Sequence, residues 1–200
     1  MRWSCLFPIF ALCSFSPAVN AQRPSRSGVG YMGGPQAATW HSEAATYRLV
    51  PGFVVGFYAP IWVGNRCEIQ PDLLLSLHGA AKDLPDGQRK SLNILSAVMP
   101  VSLKVFLSSS FNVQAGVQGG YLLLARSGDL DISSQLTRLD MGVNIGFGVG
   151  TASGSDITLR YYNGLSNTLV NENALFPSNR TLQITFGHRF SQFSSHRRRK

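Results

Sequence analysis

An all-β fold, an eight-stranded antiparallel up-and-down transmembrane β-barrel, is predicted by three features of the chain. These are strict two-residue alternation over long segments, a shortage of charge, and connections that are alternately long and short. Apolar residues recur at Phe111, Val113, Ala115, Val117, Gly119, Tyr121 and Leu123, then at Leu139, Met141, Val143, Ile145, Phe147 and Val149, then at Ile157, Leu159 and Tyr161. The positions between them, from Asn112 to Gly120 and from Asp140 to Gly150, are polar or small. A strand that crosses a bilayer needs roughly 9–11 residues with lipid on one face and a polar lumen on the other, which is this pattern.

Charged residues are 14% of the chain, against ~25% in soluble domains. After the N-terminus no apolar run approaches the ~18 residues of a transmembrane helix. A membrane protein built from strands must close into a barrel, because lipid offers no partner to an open sheet edge.

The segment 1–21 reads as a signal peptide. Arg2 is a short basic region, Cys5 to Phe15 an apolar core, and Val19-Asn20-Ala21 a small-residue cleavage site. A lipoprotein anchored through Cys13 is the rival reading, weakened by Leu12 where a small residue is expected. Cleavage removes Cys5 and Cys13, so Cys67 alone remains and neither a disulfide nor a cysteine metal cluster is expected. The barrel domain then spans 22–190, followed by a basic periplasmic tail at 191–200.

Net charge of +8 is concentrated at the ends, in Arg2, Arg23, Arg26 and Arg197 to Lys200. The body is nearly neutral, and no aromatic residues interleave the basic run, so nucleic acid is not an expected partner. Contact of the tail with acidic head groups or cell-wall carboxylates is a milder expectation.

Strands are expected at 26–33 (short), 47–59, 67–79, 91–107, 111–125, 138–152, 156–165 and 180–190. Ser108 to Ser110 and Ser153 to Ser155 are tight turns. The stretches at 34–46, 80–90, 126–137 and 166–179 are long and polar, so they are read as external loops, with Asp86-Gly87 an ordinary turn. On this topology the loop carrying Trp40, His41 and Glu43 and the loop from Asn163 to Asn179 face outside. Pro60 to Arg66 is longer than a periplasmic turn needs to be.

A hairpin centred on Ser109 pairs Val105 with Val113, Leu103 with Ala115 and Val101 with Val117, keeping both faces pure. One centred on Gly154 pairs Val149 with Leu159 and Phe147 with Tyr161, and sets Arg160 and Tyr162 opposite glycines. Those glycines either make room for the two side chains or permit strand coiling. Pro100 predicts a bulge.

The same parity sends Glu68, Gln70, Asp72, Ser76, His78, Lys104, Arg138, Asp140, Arg160, Gln183, Thr185 and Arg189 into the lumen. Eight strands enclose a space that side chains can fill, so the charged members (Glu68, Asp72, Lys104, Arg138, Asp140, Arg160 and Arg189) are expected to plug it, with Lys104 and Glu68 paired. A wide diffusion pore is disfavoured. Ser76 and His78 share one face, the minimum for hydrolysis of a lipid acyl ester, but nothing in the sequence orients the histidine. His41, His188 and His196 are scattered, no glycine run opens a helix, and no catalytic residue, cofactor or metal is expected.

Leu182, Ile184, Phe186 and Phe190 alternate towards a terminal aromatic, resembling the segment by which barrel-insertion machinery recognises its clients. The run Glu68-Ile69-Gln70-Pro71-Asp72-Leu73-Leu74-Leu75-Ser76-Leu77-His78-Gly79, mid-strand Pro100, Gly116 to Tyr121, Asp140-Met141-Gly142, Gly146-Phe147-Gly148 and Arg160-Tyr161-Tyr162-Asn163-Gly164-Leu165 together resemble the PorT-like outer-membrane β-barrel family over about 26–190. That resemblance implies an eight-stranded outer-membrane barrel without catalytic residues, of a kind in which a few members assist protein secretion. The expected function is a small outer-membrane protein with a structural, assembly or interaction role. Its expected partners are outer-membrane lipids, the insertion machinery and an envelope or secretion-system protein. A soluble, secreted lipocalin-like barrel with an apolar ligand is the alternative, but its outer face would carry Lys and Glu.

Overall fold

The computed structural model describes residues 27–41, 47–63, 66–83, 89–128, 130–151, 153–167 and 178–192. The expected signal peptide, residues 193–200 of the expected basic tail, Glu43 and Asp86-Gly87 lie outside these residues, whereas the first two residues of that tail, Ser191 and Gln192, belong to the last strand. Among the described residues there are ten strand segments: β1 (Gly28–His41), β2 (Arg48–Tyr58), β3 (Ile61–Val63), β4 (Cys67–Asp83), β5 (Arg89–Phe106), β6 (Phe111–Ser127), β7 (Leu130–Asp131), β8 (Leu139–Gly150), β9 (Ser155–Gly164) and β10 (Ser178–Gln192).

They form one antiparallel sheet in the order β2-β1-β10-β9-β8-β6-β5-β4, and β2 also pairs with β4, which closes the cylinder. β3 carries the line of β2 onward along β4, while β7 hangs from β6 alone. The wall therefore has eight staves.

Large apolar side chains face outward along every stave but β1, where Tyr31 is the large exposed one. Val143, Ile145, Phe147 and Val149 on β8 and Leu182, Ile184 and Phe186 on β10 are all exposed. Moving one such half-exposed side chain from water into lipid gains roughly 1–2 kcal/mol by the area rule. On the outer face at the end that carries the short turns, Tyr31 packs on Phe190 at 6.2 Å and Phe111 on Phe147 at 6.3 Å, as an interfacial girdle requires, while Trp62 and Phe106, 5.2 Å apart, share the inward parity of Glu68 and Asn112.

Three expectations need correction. The first strand is not short: it runs to His41, so Gly34 to Trp40 belong to the wall and Trp40 is buried inside. Its outward residues Gly33, Pro35, Ala37 and Thr39 are small or polar, and this hid the alternation.

Pro100 makes no bulge. It stays in register opposite Gln118, and the irregularity falls between Leu95 and Ser96. The proline nitrogen costs the wall one donor without displacing a residue, because its ring fits the lumen side.

The β8–β9 register is two residues away from the expected one, with the hairpin centred on residue 153 rather than 154. Val149 pairs with Ile157, Phe147 with Leu159 and Gly146 with Arg160. Gly154 adopts φ of 90° after the centre of a Thr151–Ser155 turn, rather than at its pivot. A slip of two keeps every residue on its predicted face, so alternation alone could not detect it. The β5–β6 register, by contrast, is the one expected.

Candidate functional site

The inward rows meet in a lumen that side chains fill. At mid-height Arg160, 1% exposed, donates from Nη2 to Asp72 Oδ2 at 2.9 Å. Gln70 Nε2 donates to the other oxygen of the same carboxylate at 2.7 Å. Beside this pair Ser102 Oγ donates to Asn144 Oδ1 at 3.0 Å, spanning β6 at Gly116. A side chain at Gly116 would drive its Cβ into the Val101 carbonyl oxygen, so close strand approach is the reason for that glycine. At Gly142 the added atom would strike the Asn163 carbonyl oxygen and lie 2.8 Å from the Tyr162 ring, so strand approach and room for Tyr162 both apply there.

Nearer the aromatic girdle, Arg189 Nη2 reaches Glu68 Oε2 at 3.4 Å and Tyr58 donates to Asp156 Oδ1 at 3.2 Å. Lys104 is the register partner of Glu68 and its charge acts on that carboxylate, as expected, while Arg189 on β10 adds a direct ionic contact across the lumen. Towards the other end, Gln36 Nε2 donates to Phe53 O, Leu77 O and Ser76 Oγ, and Gln183 Nε2 donates to Gln36 Oε1 at 2.8 Å. Ser76 Oγ and His78 Nδ1 lie 3.2 Å apart inside the wall, away from lipid. Asp140 Oδ2 accepts from Asn179 at 3.3 Å.

Arg138 is the exception among the expected lumen residues. It lies exposed just before β8 and donates to the Tyr121 hydroxyl on the outer face at 3.3 Å, a contact that raises the pKa of its guanidinium. The chain bends at Arg138 before β8 begins, so strand parity does not extend to it.

The lumen is also less polar than expected. Met32, Val54, Tyr58, Leu74 and Val98 form one internal apolar cluster, and Trp40, Ala80, Leu92, Ile94, Leu122, Ala125 and Leu136 form another near the long-loop end.

A closed barrel with lipid-facing rows outside and a polar seal inside is the setting for the comparisons with known proteins. Residues 20–170 match the model of a family described as outer membrane protein beta-barrel domain. The chain belongs to this family. Among solved structures, this outer-membrane barrel resembles the Neisserial surface protein A, NspA, at 14% identity and a TM-score of 0.58, with 82% of this chain and 98% of that one covered. It also aligns with the attachment invasion locus protein Ail of Yersinia pestis (10% identity, TM-score 0.46, 82% and 99% covered). A third alignment is with OprG of Pseudomonas aeruginosa (9%, 0.48, 84% and 99%). At such identity the NspA match concerns the fold. No curated protein sequence matches the chain.

Gln36, Tyr58 and Asp156 are structural members of this outer-membrane barrel's internal network that sequence reasoning missed, and Asn144, expected on the polar face, joins them through Ser102. Gln36 fell in a stretch read as a loop. Its signal was the inward series Met32, Gly34, Gln36, Ala38 and Trp40, legible once Pro35 is allowed on a lipid-facing row.

Proposed function

We propose that the chain is a non-conducting barrel of the bacterial outer membrane, inserted after cleavage at Ala21, that acts through the surfaces it presents at its two edges. The Asp72–Arg160 pair carries this reading, because it occupies the lumen at mid-height where a pore would need water. The role is structural or interactive rather than enzymatic. Ser76 and His78 face the lumen, out of reach of the acyl esters of the outer leaflet, and this counts against lipid hydrolysis. The exposed apolar rows count against a soluble lipocalin-like carrier.

The PorT-like sequence features support a narrower reading, assistance to a protein-secretion system through an envelope partner, with the insertion machinery as the assembly partner. Membrane fractionation of the native host, followed by planar-bilayer recording of the purified chain, tests the proposal. Recovery in the outer membrane without porin-sized conductance steps is expected. Stable steps of porin size, or recovery in the soluble fraction, would overturn it.

A further inference from the structure

Arg180 stands at the long-loop end of the outward row of β10, between Asn179 and Thr181, whose side chains are buried in the lumen. Below it the outward row continues as Leu182, Ile184 and Phe186, all exposed. A guanidinium therefore heads an apolar row. Its register partners are Asn163 on β9 and Thr39 on β1, so neither neighbouring strand offers it a carboxylate. Arg180 makes no ion pair with any described residue, and its Nε is enclosed without an acceptor. Arg138 and Arg126, at the same end, are engaged: the first donates to Tyr121, and the second lies opposite Asp131 and acts on its carboxylate. A cation on a lipid-facing row is costly unless a counter-charge meets it, and at Arg180 the described residues supply none.

The wall beside Arg180 is shallow. The outward residues of β1 there are Thr39, Ala37, Pro35 and Gly33, and Ala37 pairs with Leu182 on one side and with Pro51 on the other. Larger exposed side chains rise on both flanks, from Leu182 to Phe186 on β10 and at Leu49, Phe53 and Val55 on β2. The flanking strands stand about 10 Å apart, twice the spacing of neighbours in a sheet. The result is a trough one strand wide. It begins beside Arg180, because Thr39, the register partner of Arg180, precedes Ala37 in the outward row. It ends at Gly33, where the Phe53 ring lies 3.7 Å from the position a Cβ would take.

We propose that Arg180 and this trough form one binding site for a phosphorylated lipid of the outer leaflet. The inference rests on the membrane placement and orientation proposed above. The lipid phosphate accepts charge-assisted hydrogen bonds from the Arg180 guanidinium, whose planar fork matches two phosphate oxygens. The side-chain amide of Asn163, next along the same row, supplies a further donor. One acyl chain runs down the trough over Ala37 and Pro35, between the larger side chains of β2 and β10. A choline lipid brings its own cation to its phosphate and is the weaker guest.

Native mass spectrometry of the folded full chain, released from micelles of an uncharged detergent and titrated with lipid, tests the site. The probes are lipid A with both phosphates, the same lipid A with both phosphates removed, and phosphatidylcholine. Phosphorylated lipid A is expected to occupy one site at least tenfold more tightly than either of the others. Arg180→Gln should bring all three within twofold, whereas Arg126→Gln, opposite Asp131, should leave the preference unchanged. Ala37 faces outward, so Ala37→Trp leaves the lumen packing untouched; it should fill the trough and weaken lipid A at least tenfold, an arm that does not depend on Arg180→Gln folding. Inorganic phosphate at millimolar concentration should not displace the lipid. Equal binding of the two forms of lipid A, an affinity unchanged in Arg180→Gln or Ala37→Trp, or displacement by inorganic phosphate would overturn the site and leave the membrane placement standing. A chain that stays dissolved without detergent would overturn the placement, and the site with it.

Discussion

Arg160 on β9 and Asp72 on β4 meet at 2.9 Å although their strands stand four places apart in either direction round the barrel. The pair is a strut across the full diameter, which only a narrow barrel permits. Both side chains are almost wholly buried, at 2% and 0% exposed.

Removing one end of the strut leaves the other charge buried without its partner. Asp72→Asn or Arg160→Met alone is expected to destabilise the barrel by about 3–5 kcal/mol. The double variant should lose much less than the sum. Urea unfolding in lipid vesicles, set out as a double-mutant cycle, measures this; additive losses would mean that the two groups do not act as a pair.

Two glycines three residues apart should respond in opposite ways. At Gly116 a Cβ would strike the Val101 carbonyl oxygen, whereas at Gly119 it meets nothing within 4 Å. Gly116→Ala should cost about 1–3 kcal/mol through wall displacement. Gly119→Ala should be neutral or stabilise by up to about 1 kcal/mol, since its backbone angle suits any residue. The same unfolding assay compares them.

At the long-loop rim, the Ser133 hydroxyl, at 2.6 Å, and the Ser133 backbone N–H hold the Asp131 carboxyl below its ordinary range. Because the folded value is depressed, the stabilisation of this turn is complete above the unfolded carboxylate value of about 3.9 and disappears as pH falls through the folded value. Carbon-detected NMR titration should find the Asp131 midpoint below that reference, and Ser133→Ala should move it upward. A midpoint unaffected by Ser133→Ala would exclude the contact.

Loop length predicts the orientation in the cell, with the long connections outside and the short turns at the periplasmic edge. In a Cys67→Ser background, an impermeant maleimide applied to intact cells should label Ser166→Cys and spare Ser109→Cys. The reverse labelling would invert the barrel.

Strand parity was legible because two solvents act on the two faces of one strand: β6 and β8 carry Val, Ile and Phe towards lipid and Asn, Gln and Gly inward. It failed on β1, where Pro35 and its small outward neighbours carry too little apolar surface to show which side is lipid. Contacts across the lumen were not legible. Whether Arg189 reaches Glu68 from across depends on stagger between strands, and a two-residue slip, as at Gly154, changes partners without changing faces. The apolar clusters escaped for a related reason. In Leu73-Leu74-Leu75 every residue is leucine, so the run carries no polarity to mark Leu74 as inward.

The most direct measurement places a nitroxide at Val143, Ile145 and Phe147 in turn and reads its collision rates in lipid vesicles. Dissolved oxygen should relax all three labels and a water-soluble nickel chelate should relax none of them, as lipid-facing positions require. Strong relaxation by the nickel chelate at these three positions would put that face in water and contradict the barrel's placement in a membrane.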